Sequence, residues 1–160
     1  MAFSPDGILF VSLPSRAGLY SGNRSGGAVS ALPDRDQDGQ ADEVQTVISG
    51  LSTLPHGLAF NGGYLYLAEE NRVSRYAYTG SGNLGAREVI VESVPAGGHV
   101  SRTVGLGPSG KMYVSIGSSC NVCEEADPRR AAMVEYNPDG SGIKSNSSRI
   151  CTQSERTTGC

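Results

Sequence analysis

Residues 34 to 42 read Asp-Arg-Asp-Gln-Asp-Gly-Gln-Ala-Asp, a D-x-D-x-D-G-x-x-D loop. Carboxylates at alternate positions offer oxygens that can wrap round a hard cation, and the glycine permits the sharp turn this needs. Asp34, Asp36, Asp38, Gln40 and Asp42 are therefore the candidate ligands of a structural Ca²⁺. An acid at the twelfth position is missing and no helices are expected on either side, so a full EF-hand is not the reading. The competing reading is a solvated acidic turn. The two histidines, His56 and His99, are the candidate bases. Imidazole, with an ordinary pKa of ~6.5, accepts a proton at neutral pH, although a loop histidine bonded to a backbone carbonyl would look the same in sequence. Arg102 follows three residues after His99, where its guanidinium could orient an acidic cofactor or form a surface ion pair. Cys120-Asn121-Val122-Cys123 could be a redox pair, half a zinc site or a disulfide. Glu124 after the second cysteine excludes a c-type haem attachment, and no βαβ context supports a thioredoxin-like role. The remaining cysteines, Cys151 and Cys160, do not supply a second zinc half-site, which favours a structural disulfide in an oxidising compartment.

These residues need elements to hold them, and the composition limits which. The chain has 160 residues, 38% of them apolar, enough for one ordinary globular domain. A formal charge of -3, with Lys and Arg scattered, leaves no basic field for nucleic acid. No apolar run approaches the ~20 residues of a membrane span, and residues 1 to 7 lack the basic start and apolar core of a signal peptide. Glycine and proline, 22 and 8 in number, punctuate short runs of β-branched, aromatic and aliphatic residues, so the class is all-β. Asp127 and Pro128 could open a short helical turn running to Met133, the one exception.

One pattern recurs three times: Ala2 to Ser12, Ala59 to Ala68 and Gly105 to Ser115, each a strand, a tight turn and a strand ending in a small residue. The turn glycines Gly7, Gly63 and Gly110 lie 56 and 47 positions apart, and a third strand follows each hairpin at Val29 to Leu32, Val73 to Tyr78 and Ala132 to Tyr136. A period of ~40 to 50 residues with about four strands per unit is that of a β-propeller, whose ~4 to 8 blades close a ring. Three units cannot close it, so the chain should be incomplete or assemble with copies of itself. Met1, starting at a strand edge, favours the first option. His56 in Pro55-His56-Gly57 would begin the innermost strand of the second blade and could reach the channel mouth.

Two stretches carry a family resemblance. Ala31 to Glu43 with Gly50-Leu51 and Pro55-His56-Gly57-Leu58-Ala59-Phe60, and Gly97-Gly98-His99-Val100-Ser101-Arg102-Thr103 running through Val114 to Glu125 to Tyr136-Asn137-Pro138-Asp139-Gly140, resemble the early blades of soluble sugar dehydrogenases of the L-sorbosone dehydrogenase-like type, which depend on pyrroloquinoline quinone (PQQ). The resemblance covers residues 1 to 142 and implies part, about three blades, of a six-bladed β-propeller that oxidises a sugar or a related polyol or aldehyde by passing hydride to PQQ held with Ca²⁺. It implies His99 as the general base, since in the family a histidine stands before a strand running into Gly-Pro, a turn and a strand ending near Ile-Gly. Arg102 and His56 are the candidate cofactor contacts. The family's catalytic calcium ligands are expected beyond this stretch. For the full-length family the resemblance implies a periplasmic or secreted protein.

After Gly142 the resemblance stops, leaving residues 143 to 160 as an aberrant Ser/Thr-rich tail that is expected to be disordered and points to a frame shift or premature stop. Intact flanking reading frames at the locus would support that origin. The sequons at Asn23 and Asn146 carry no weight in a bacterial host. Two other functions compete: a non-catalytic propeller fragment serving as an interaction module, and a lactonase-like calcium hydrolase.

Overall fold

The computed structural model describes residues 1–14 and 27–146. It is all-β. Among the described residues twelve strands form three antiparallel four-stranded sheets, each in chain order. The first sheet holds β1 (Ala2–Phe3), β2 (Leu9–Leu13), β3 (Gly27–Leu32) and β4 (Gln45–Leu51). The second holds β5 (Pro55–Asn61), β6 (Tyr64–Glu69), β7 (Val73–Gly80) and β8 (Asn83–Val91), and the third β9 (Arg102–Leu106), β10 (Met112–Ile116), β11 (Ala132–Tyr136) and β12 (Lys144–Asn146). The three repeats are the first two strands of each sheet, as blades of a partial propeller. Their turns use Gly7, Gly63 and Gly110 at φ of +86°, +80° and +75°, a region that side-chain-bearing residues rarely enter.

The apolar pattern of β6 explains why the sheets stack. Leu65 and Leu67 point to one side, where they join Phe10, Val29, Ala31 and Leu58 in a core shared with the first sheet. Tyr66 and Ala68 point to the other, into a core with Val104, Met112, Val114 and Val134 of the third. A strand covered on both faces has no polar side to alternate with, hence the unbroken run Tyr64 to Ala68. Phe10, Phe60 and Tyr78 close the first core edge to face, with ring centroids 5.0 to 6.1 Å apart. The β6 run ends on a buried carboxylate, Glu69, which is compensated by Arg87 and accepts hydrogen bonds from Thr53 (2.8 Å) and Ser74 (3.5 Å).

Two expectations change. The short turn expected after Asp127 forms but does not run to Met133: Asp127 accepts the Arg129 backbone N–H through its carboxylate (3.0 Å) and the Arg130 N–H through its carbonyl (3.0 Å), and β11 has begun by Ala132. With a strand partner waiting in β10, the chain gains more from the ladder than from a second helical turn. The boundary at Gly142 also moves, because Lys144–Asn146 pair with Met133–Glu135 as the fourth strand of the third sheet. The rest of the expected tail, from residue 147, and the sequon at Asn23 lie outside the described residues. No helix among the described residues is long and apolar enough to cross a membrane.

Candidate functional site

The inner strands β1, β5 and β9 stand side by side, and the β5 and β9 backbones come close enough at Gly57 that a Cβ there would lie 2.6 Å from Val104 N and 2.8 Å from Thr103 Cα. Only glycine permits this approach. At the end where these strands begin, a cavity of about 360 Å³ is lined by Ser12, His56, Gly57, Ser101, Arg102 and Thr103, among others. The Ser12 hydroxyl donates to the His56 carbonyl at 2.6 Å, tying β2 to the start of β5. His56 Nε2 is buried and has no hydrogen-bond partner. Burial first, and the positive charge of Arg102 second, push the His56 imidazole below its ordinary pKa, against an opposing pull from Glu70.

Arg102 is only 1% exposed, so it is not a surface ion-pair residue. Its Nη1 donates to the carbonyls of His99 (2.7 Å) and Ser101 (2.8 Å), and its Nη2 to that of Pro95 (2.5 Å), while Nε is buried without a partner. Burial, then the nearby Arg130, lowers its pKa, and Glu70 opposes both. Arg130 in turn donates to the carbonyls of Gly97 (3.1 Å) and Ala96, and Glu70 accepts the Gly97 N–H at 3.0 Å. The segment from Pro95 to Ser101 is thus held by two guanidinium groups and a carboxylate, each saturating backbone groups that no strand ladder satisfies.

That segment carries His99. Its ring is exposed and does not line the cavity, although its backbone is joined to the cavity through Arg102. His99 N–H donates to the Ser118 carbonyl (2.9 Å), and Nε2 lies 2.8 Å from Asn121 Oδ1. Asn121 falls within the Cys120–Cys123 disulfide, the pairing preferred from sequence. The structure therefore brings His56 and Arg102 to one cavity and sets His99 on the adjoining loop. Glu70, Asn121 and Arg130 were not singled out from sequence; each acts across 22 or more residues, with no local motif to mark it.

The acidic loop joins β3 to β4, at the opposite end of the sheets. Oxygens of Asp34, Asp36 and Asp42 all lie within 4.8 Å of one another, a spacing that a cation of 2.3 to 2.6 Å bond length can bridge. Asp38, expected among the ligands, stands outside this group: its carboxylate accepts the Gln40 backbone N–H (2.7 Å) and side-chain amide (3.3 Å). Asp34 accepts the Gly39 N–H (3.0 Å) and Asp42 the Arg35 N–H (2.6 Å), which gives the loop its own support.

Known proteins fit this architecture. The calcium structure of the Trichoderma reesei carbohydrate-active enzymes family AA12 superposes with a TM-score of 0.58 at 22% identity, over 84% of this chain and 39% of that one; the iodide structure gives the same values. The holo form of the pyranose dehydrogenase PQQ domain from Coprinopsis cinerea superposes with a TM-score of 0.59 at 16% identity, over 86% of this chain and 40% of that one. The chain thus spans about two fifths of these solved relatives. No curated protein sequence matches it. The sequence model of the TrAA12-like family matches residues 14–137, a stretch that includes His56, Arg102, the His99 loop and parts of all three sheets, and on that match the chain belongs to the TrAA12-like family.

Proposed function

We propose that this chain forms part of a quinoprotein oxidoreductase that oxidises a sugar or a related polyol or aldehyde. The observation that carries the reading is the pair of buried, unpartnered nitrogens, His56 Nε2 and Arg102 Nε, beside one cavity in a chain of the TrAA12-like family. Buried polar nitrogens without partners are costly unless a ligand completes them, and an acidic planar ligand suits two nitrogens beside a guanidinium charge. PQQ, when bound, supplies a two-electron hydride acceptor. On this reading His56 and Arg102 contact the cofactor, and Arg102 also fixes the loop that carries His99. His99 takes the hydroxyl proton of the substrate as hydride leaves, and its exposed ring is open to a substrate arriving from solvent. Asp34, Asp36 and Asp42 would hold a Ca²⁺ that braces the far end of the sheets and takes no part in the chemistry. The Cys120–Cys123 disulfide supports a periplasmic or secreted setting.

The test is reconstitution of the propeller, with its remaining blades, with PQQ and Ca²⁺, following an artificial electron acceptor with several aldoses. The quinoprotein reading expects acceptor reduction, and a His99→Ala turnover lower by ~10² to 10⁴. Cofactor affinity in that variant should change far less. Turnover without acceptor would indicate a hydrolase, and no turnover with full cofactor loading an interaction module. Near-normal turnover of His99→Ala would remove His99 from the base role.

A further inference from the structure

The disulfide loop between β10 and β11 and the loop that carries His99 are locked together. Gly98 and Gly117 approach so closely that a Cβ would lie 2.6 Å from the Ser118 carbonyl oxygen or 2.4 Å from that of His99. His99 N–H donates to Ser118 O, Ser118 Oγ donates to the Cys120 carbonyl (2.7 Å), and the Ser119 N–H donates to Glu125 (2.6 Å). With its backbone held this way, the His99 ring keeps only its side-chain torsions, and the polar contact that chooses among them is Asn121 Oδ1, 2.8 Å from Nε2. Asn121 is itself one of the two residues enclosed by the Cys120–Cys123 bridge, which limits how far its backbone can swing. An amide oxygen at that distance accepts, so a neutral ring facing it holds its proton at Nε2 and leaves Nδ1 as the acceptor.

We propose that Asn121, restrained by the Cys120–Cys123 disulfide, is a positioning residue that sets the direction and the tautomer of the His99 ring, and that reduction of the bridge releases it. The inference deepens the assignment of His99 as the base and rests on it for its functional meaning. A dithiol reductant suffices for the release: its two thiolates deliver two electrons to the S–S bond, Cys120 and Cys123 take up two protons as thiols, and the reductant closes to its own disulfide. Loss of positioning at a base is felt in the rate because proton transfer depends on orientation as well as proximity.

The experiment reads the tautomer directly, from ¹⁵N and ¹³C shifts of histidine-labelled chain at a pH where His99 is neutral. With two histidines in the chain, a His56→Gln spectrum assigns them. The oxidised protein should show His99 protonated at Nε2. Asn121→Ala, and separately dithiothreitol on the unmutated chain, should each move it to a mixture of tautomers, while Asn121→Asp, which keeps an acceptor oxygen, should restore the single form. A mixture in the oxidised wild type, protonation at Nδ1, or a spectrum indifferent to both Asn121→Ala and reduction would overturn the proposal. Indifference to reduction alone would remove the disulfide from it. None of these readouts uses turnover, so a failed base assignment, read from His99→Ala, is separable from a failed positioning role.

Discussion

His56 makes a stronger demand on its surroundings than its sequence neighbourhood suggests. Half-buried at the start of β5, it is kept below its ordinary pKa by burial and then by Arg102. Above the ordinary value of 6.5 neither folded nor unfolded chain binds the proton, and the group is silent. As pH falls through that value the unfolded chain protonates first, so stability falls with acidification and levels off once the folded-state pKa is passed. Denaturant unfolding from pH 8 to 5 should show this loss, and His56→Gln should remove it; an equal slope in the variant would place the effect elsewhere. The candidate role of His56 was visible from Pro55-His56-Gly57 opening an inner strand. Its strained polar environment was not, because Arg102 and Glu70 reach it from other strands and loops. The same holds for Arg102: position 102 could be read as ligand or ion pair, yet three loop carbonyls, invisible in sequence, take its Nη nitrogens.

At the scale of elements, Gly57 is the point where two inner strands meet backbone to backbone. Gly57→Ala would place a methyl 2.6 Å from Val104 N and 2.9 Å from Arg102 O, atoms of a strand ladder that cannot yield as a flexible side chain would. Parting β5 from β9 should cost about 1 to 3 kcal/mol, measured as a lowered denaturant midpoint at unchanged slope, and should displace Arg102 from the cavity. The acidic loop makes the opposite kind of demand, since it is exposed and internally bonded. If it holds Ca²⁺, free ion at ~100 times its dissociation constant adds ~2.7 kcal/mol, which chelation should remove and Asp36→Asn should abolish. An identical response to chelator in Asp36→Asn would exclude the loop. Hairpins and blade period were legible because Gly7, Gly63 and Gly110 mark turns that a local pattern must specify. The single turn at Pro128 was harder to read, because a capping aspartate and an N-terminal proline look alike before a turn and before a helix, and only the β10 ladder decides between them.

At the scale of the whole molecule, the two outer sheets each bury one face against the middle one, and among the described residues no further sheet covers the other. Phe3 and Leu13 are 67% and 45% exposed on the first sheet, and Met133 is 50% exposed on the third. Exposed apolar side chains beside open strand edges favour association. Sedimentation velocity should therefore give a concentration-dependent distribution, and a sharp monomer boundary across the micromolar range would contradict it. The two-sided β6 also says what geometry that association should take. In the middle sheet the side bearing Leu65 and Leu67 always meets the preceding blade and the side bearing Tyr66 and Ala68 the following one, so stacking has a direction. Two copies meeting in the same sense join unlike surfaces, the third sheet of one on the first sheet of the next. Such a heterologous contact has no dyad: it ends in a ring when the rotation closes on itself and in an open filament when it does not.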